Sequence, residues 1–182
     1  MRILHTSDWH LGRTLHGVDL AAAHAAYFDH LVSTVRDERV SAVLVAGDIY
    51  DRALPSVESV ALLEDVLLRL TAITRVVITP GNHDSATRLG FGSALFRDRL
   101  SIRSRLADAA TPIMIPDDAG GDCLWVYAVP YLDPDTTRHT LGMVDKDGTT
   151  LPLARSHEAV TAEVMNRVRR DLTHRRNASP RR

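Results

Sequence analysis

An α/β fold with parallel strands is predicted by two observations. Three short β-branched runs alternate with two amphipathic helical patterns, and every run ends in turn residues that carry polar side chains. The runs are Ile3-Leu4 leading to Thr6-Ser7-Asp8, Ala42 to Ala46 leading to Gly47-Asp48, and Val76 to Thr79 leading to Pro80-Gly81-Asn82. Short and bounded by turn signals, they read as buried strands. Between the first two, residues 19–38 place Leu20, Phe28, Leu31 and Val35 on one stripe, which predicts a helix with one inward face. Between the second and third, Pro55-Ser56 signals a helix start, and Val57, Val60, Leu63, Leu67 and Leu70 follow on one face. Such alternation implies right-handed crossovers and ligands outside the carboxyl ends of the strands.

Further along, Thr111 to Ile115 and Cys123 to Val129 flank an aspartate- and glycine-rich turn at 117–122 and read as a hairpin, in the same sheet or in a second one. Residues 132–155 are polar and read as irregular. Ser156 then signals a helix with Val160, Val164, Val168 and Leu172 at fourfold spacing. One domain is expected over 1–182, with 177–182 as a frayed basic tail.

At 182 residues, 45% hydrophobic and 25% charged, the chain suits one core, and this composition excludes disordered, collagen-like and disulfide-rich classes. The 22 Lys+Arg and 23 Asp+Glu nearly cancel, so global charge does not announce a nucleic acid or membrane partner. Cys123 is the single cysteine, which excludes an intrachain disulfide and multi-cysteine zinc sites. No apolar run approaches a membrane span, and a cytoplasmic location is expected. Charge is uneven, however. Residues 164–182 hold 7 arginines against Asp171, read first as a solvated helix face and second as a nucleic-acid or partner contact.

Each of the first three strands delivers a polar cluster at its carboxyl end: Asp8-Trp9-His10, Gly47-Asp48 to Asp51-Arg52, and Gly81-Asn82-His83-Asp84. In an extended segment, Asp8 and His10 would point to one side and grip a single ion, with Trp9 turned away. Asp48 offers two carboxylate oxygens for two ions, and Asn82 a neutral carbonyl oxygen. Oxygen and imidazole donors without thiolate suit Mn²⁺, Fe²⁺, Zn²⁺ or Mg²⁺, and an oxygen-rich octahedral set favours manganese. Two such cations about 3.5 to 4 Å apart neutralise a phosphate ester and clamp its attacking and leaving oxygens in line. They also let an acidic pocket bind a polyanion. His83 would then stabilise the transition state or protonate the leaving oxygen, with Asp51 holding its imidazole charged. Asp84, followed by Ser85, reads first as a helix cap. The histidines at 5, 16, 24, 30, 139, 157 and 174 read as ordinary surface or core residues. Arg13, Arg52, Arg88 and the arginines at 97, 99, 103 and 105 are candidate phosphate contacts, set against the reading of plain surface arginines.

Asp8-x-His10, Gly47-Asp48-x-x-Asp51 and Gly81-Asn82-His83-Asp84 together resemble the three-part signature of the calcineurin-like metallophosphoesterases. The fuller strings Thr6-Ser-Asp-Trp-His-Leu-Gly-Arg13, Gly47-Asp-Ile-Tyr-Asp-Arg52 and Thr79-Pro-Gly-Asn-His-Asp-Ser85 are similar to the bacterial SbcD nuclease subunits, kin to the eukaryotic double-strand-break repair nuclease. The resemblance, running from Met1 into the last helix, implies a four-layer α/β/β/α sandwich, here incomplete at its C-terminal end. It implies manganese-dependent DNA cleavage in repair and recombination: a 3′-to-5′ exonuclease on duplex ends and an endonuclease on hairpins and single strands. A homodimer and an SbcC-type coiled-coil ATPase partner are implied as well. By the same resemblance Asp8, His10, Asp48 and Asn82 correspond to metal ligands, His83 to the transition-state histidine, Asp51 to its partner and Arg52 to a phosphate contact. The family completes its metals with three later histidines, for which this chain has no matching segment. One ion is therefore expected to bind weakly and the second poorly, with little activity from this chain alone. Two further readings stand beside the nuclease: a phosphomonoesterase or cyclic-nucleotide phosphodiesterase, and a non-catalytic metal-binding module.

Overall fold

The computed structural model describes residues 1–96, 99–117, 123–144, 146–148 and 150–178. In chain order the elements are β1 (Ile3–Thr6), β2 (Thr14–Leu15), β3 (Val18–Asp19), α1 (Ala21–Asp37), β4 (Ala42–Ala46), α2 (Val57–Ile73), β5 (Arg75–Thr79), α3 (Ala86–Leu89), β6 (Leu100–Ile102), β7 (Ile113–Ile115), β8 (Leu124–Val126), α4 (Pro134–Thr140), β9 (Met143–Val144), β10 (Thr150–Leu151) and α5 (His157–Ala178). The three expected strands form one parallel sheet in the order β1-β4-β5-β6. Because spatial order follows sequence order, right-handed crossovers lay α1 and α2 on one face, where they pack side by side.

Alternation of side chains across the strands sorts the sheet residues. Val43, Val45, Val76 and Ile78 face the helices and pack with Phe28, Leu31 and Val35 of α1 and Leu63, Val66 and Leu70 of α2. Val77, on the other face, is buried outside that cluster. Ser56 starts α2 as the sequence indicates, its hydroxyl accepting the Ser59 N–H at 3.2 Å. Thr74 ends it by extending into β5 while its hydroxyl donates to the Val40 carbonyl at 2.7 Å.

The expected hairpin is a separate two-stranded antiparallel sheet, β7 with β8, joining Ile113 to Val126 and Ile115 to Leu124. Residues 118–122 of its turn lie outside the described residues. A second core gathers beside it, built by Val160, Val164 and Val168 of α5 with Leu132, Leu141 and Ala109. Ser156 caps α5 by accepting the Ala159 N–H at 3.1 Å, and Leu172, expected on the same stripe, is half-buried. The architecture is thus mixed α/β, a parallel sheet flanked by helices, with the second sheet present as a two-strand ladder. The Tyr131 N–H joins the two parts by donating to the Pro80 carbonyl at 3.0 Å.

One expectation needs correction, and two elements went unread in the sequence. Strand β6 was not read in the sequence, since three residues between Arg99 and Arg103 are too few to show a period. The polar stretch 132–155 is not irregular throughout. Asp133-Pro134 opens α4, with Asp133 accepting the Asp135 N–H at 2.9 Å and Pro134 at the first helical turn. The segment before α1 is a tight hairpin, β2 with β3, whose turn residues His16 and Gly17 both hold positive φ, the requirement of a type I′ turn. Of the expected tail, Asn177 and Ala178 continue α5, and 179–182 lie outside the described residues.

Candidate metal centre

The loops leaving β1, β4 and β5 converge because they are sewn together through their backbones. Asp8 N–H donates to the Gly47 carbonyl (3.1 Å), His10 N–H to Asp48 (2.9 Å), Leu11 N–H to Ile49 (2.9 Å) and Gly47 N–H to Thr79 (3.0 Å). Trp9 turns the other way, as expected, and is buried edge-on against Phe28 with ring centroids 4.8 Å apart. Its indole N–H donates to Thr6 Oγ1 at 3.1 Å.

The expectation that Asp8 and His10 share a side by strand alternation fails in its reason. Strand β1 ends at Thr6, and Asp8 (φ 55°) and His10 (φ 46°) both sit in the left-handed region, as does Asp48 (φ 47°). Only five described residues other than glycine have positive φ, and three of them are these candidate ligands. Aspartate and histidine tolerate that region better than most side chains, and such strain concentrates at functional sites. The twist brings His10 Nε2 to 3.9 Å from Asp8 Oδ1 and 3.7 Å from Asp48 Oδ2.

Ligand atoms of His10, Asp48 and His83 all lie within 4.8 Å of one another, and the two imidazoles meet edge to face with centroids 5.0 Å apart. Asp48 is buried, while His83 is exposed. A buried carboxylate flanked by two imidazoles suits a divalent cation, which supplies the positive charge the pocket lacks. His10 Nδ1 is buried without a hydrogen-bond partner, 3.3 Å from Asp51 Oδ1 but outside bonding geometry. The donor set therefore fits a metal. Asp8 stands at its edge with its carboxylate mostly exposed. Asn82 lies on the exposed side and borders a cleft of about 330 Å³ shared with Tyr131 and Asp133.

Gly47 and Gly81 permit this approach. Gly47 holds φ 81°, and a Cβ on Gly81 would sit 2.0 Å from Asp48 Oδ1. The Asp48 carboxylate instead accepts the His83 N–H at 3.0 Å.

Two roles read from sequence are relocated. The Asp51 carboxylate faces His10, whereas its main-chain carbonyl accepts from His83 Nδ1 at 2.9 Å. A carbonyl only accepts, so Nδ1 carries the proton and Nε2 is left free of that bond. This bond is the first cause raising the His83 pKa above 6.5, helped by the Asp48 and Asp51 charges and opposed by burial and by Arg13. Asp84 is not a helix cap. Its carboxylate accepts the N–H groups of Ile49 (3.0 Å), Tyr50 (2.9 Å) and Gly81 (2.8 Å), and Ser85 caps α3 instead. The stapling role left no mark in the sequence, because aspartate before serine is also an ordinary cap signal. Tyr50, buried beside Asp84, has its phenol pushed up to about 12, burial first and the Asp84 charge second.

Among the arginines, Arg13 and Arg52 are exposed, and Arg13 is near enough for its charge to act on His83. Arg99 donates to the Thr71 and Ala72 carbonyls at the end of α2, and Arg105 pairs with Asp108 at 3.0 Å, so both have structural employment. Arg88 reaches the Ala53 carbonyl at 3.4 Å, the Arg103 Nε is buried, and Arg97 lies outside the described residues. In the arginine-rich helix α5, Arg167 and Arg170 reach Glu163 and Arg175 reaches Asp171. Among the described residues no helix is long and apolar enough to cross a membrane.

A family model described as calcineurin-like phosphoesterase matches residues 1–166. The chain is also 36% identical over 118 residues to the SbcD component of the SbcCD nuclease of Staphylococcus saprophyticus subsp. saprophyticus, an alignment covering 63% of this chain and 31% of that protein.

Proposed function

The chain belongs to the calcineurin-like phosphoesterase family, and on that premise we propose that it serves a metal-dependent DNA nuclease, hydrolysing phosphodiester bonds as a 3′-to-5′ exonuclease on duplex ends and as an endonuclease on single strands and hairpins. The observation that carries the reading is the convergence of His10, Asp48 and His83 at the ends of three parallel strands. The name of its relative, a nuclease component, supports DNA as the substrate.

Asp8, His10, Asp48 and Asn82 are proposed to hold two divalent cations, with Mn²⁺ favoured and Mg²⁺ admissible. Bound cations supply charge neutralisation of the phosphodiester and activation of water. Asp48, buried beside His10, would be a ligand to both cations. His83 keeps Nε2 free because Nδ1 is committed to the Asp51 carbonyl, so its imidazolium donates to the developing charge or to the leaving oxygen. The bond that orients the ring also keeps it protonated at higher pH. Arg13 and Arg52, exposed around the same loops, are proposed to contact flanking phosphates.

The proposal includes a cytoplasmic setting, a role in DNA repair and recombination, an SbcC-type ATPase partner and a homodimer. For the dimer, support comes from an apolar groove of about 1010 Å³ between α2 and a wall that includes Leu89, Phe91, Phe96 and Leu100, where Leu54, Leu68 and Phe91 are exposed.

The test combines Mn²⁺ calorimetry with cleavage of end-labelled duplex and of a chromogenic phosphomonoester. Weak Mn²⁺ binding and only slight Mn²⁺-dependent DNA cleavage, both lost in Asp48→Asn, are expected from this chain by itself. Turnover of the monoester alone would favour the phosphomonoesterase reading. Metal binding with neither reaction would leave a non-catalytic module.

A further inference from the structure

Asp48 and Asp84 each reach across to the other's loop. The Asp48 carboxylate accepts from His83 N–H, and the Asp84 carboxylate accepts from Ile49 N–H and Tyr50 N–H, with Gly81 N–H as a third donor. The two segments are more than thirty residues apart in sequence, yet three hydrogen bonds of 2.9–3.0 Å close them into a reciprocal clasp, and the Gly81 N–H, at 2.8 Å, ties Asp84 to its own loop. Ile49 and Tyr50 are buried, so their N–H groups need an internal acceptor. An ionised carboxylate has only acceptors and takes all three donors at once, whereas a side-chain amide would turn N–H groups of its own against at least one of them.

We infer that Asp84 is a positioning residue: without ligating a cation or touching substrate, its carboxylate fixes the loop of Asp48 against the loop of His83. The inference rests on the proposed metal site, whose donors are the residues held in place. It assigns Asp84 a duty distinct from helix capping, which Ser85 performs next to it. Removing the clasp leaves each ligand in the sequence but frees the distance between them, and supporting partners of this kind change metal affinity by about 10- to 100-fold.

The experiment compares Asp84→Asn with the parent by amide hydrogen exchange in the metal-free chain and by Mn²⁺ calorimetry, with Ser85→Ala as control. Loss of protection at Ile49, Tyr50 and Gly81 follows from removing their acceptor and would not distinguish positioning from local bracing. The discriminating probe is the His83 amide, bonded to Asp48 and not to Asp84. We expect its exchange to quicken by about tenfold or more and Mn²⁺ affinity to fall about 10- to 100-fold, while α1 amides and the Ser85→Ala protein stay at parental values. A His83 amide and a Mn²⁺ affinity that both remain parental would overturn the inference. A parent chain that binds no Mn²⁺ would sink the proposed function, and the exchange result would still judge the clasp. Should Asp84→Asn fail to fold, Asp84→Glu, which keeps the charge and displaces it by one methylene, is judged by the same two readings.

Discussion

The half of the molecule built on the parallel sheet and the half built on α5 are held by different kinds of interaction. Around β1, β4 and β5 a large aromatic-lined core carries loops fastened by backbone hydrogen bonds and by carboxylates that accept them. Around α5 a small valine-lined core is edged by ion pairs, the exposed Arg155 with Asp135 and the half-buried Arg175 with Asp171. Exposed pairs contribute little because water and salt screen them. Precision in the first half comes from groups that are held by several bonds at once, and this is where the proposed ligands sit.

The contrast can be broken or sharpened by experiment, since one tryptophan reports each half: Trp9 packs on Phe28, and Trp125 of β8 lies under Arg175 at 5.9 Å. Phe28→Ala should have the largest effect, about 3–5 kcal/mol of lost stability in urea unfolding followed by Trp9 fluorescence. A loss near zero would mean that α1 is not integral to the first core. Val164→Ala, in the smaller core, should cost about 2 kcal/mol. If Trp125 reports unfolding well before Trp9 in that variant, the halves are separable; coincident transitions would make them one cooperative unit.

Smaller in energy, two histidines should titrate in opposite directions in the metal-free protein. By NMR, His83 should show a midpoint above 6.5, owing first to the Asp51 carbonyl, and His24 one below 6.5, owing first to burial. A raised folded value adds stability that is complete below the unfolded value and is lost as pH rises through the folded one. A lowered value adds stability that is complete above the unfolded value and is lost as pH falls. Acidification through the histidine range therefore strengthens the His83 contribution, modest because the ring is exposed, and weakens that of His24. Identical midpoints would remove both causes. Least of all, Arg155→Ala should leave the urea midpoint unmoved within measurement, and a clear drop would show that its pair with Asp135 is more than an exposed contact.

The amino-acid sequence by itself determined the alternation of strands and helices and the three polar clusters at the strand ends, because buried β-branched runs, helical stripes and glycine punctuation are local signals. Ser56 and Ser156 were readable as caps for the same reason. It did not determine which partner each polar group takes. That Asp51 offers its carbonyl to His83 and its carboxylate to His10, and that Asp84 staples two loops while Ser85 caps, depends on segments brought from more than thirty residues away. Strand β6 escaped for a related reason, since three residues become a strand only beside an edge already formed by β5. Hydrogen bonds across such distances have no period along the chain. Only the folded geometry chooses among the acceptors that the same residue types could supply.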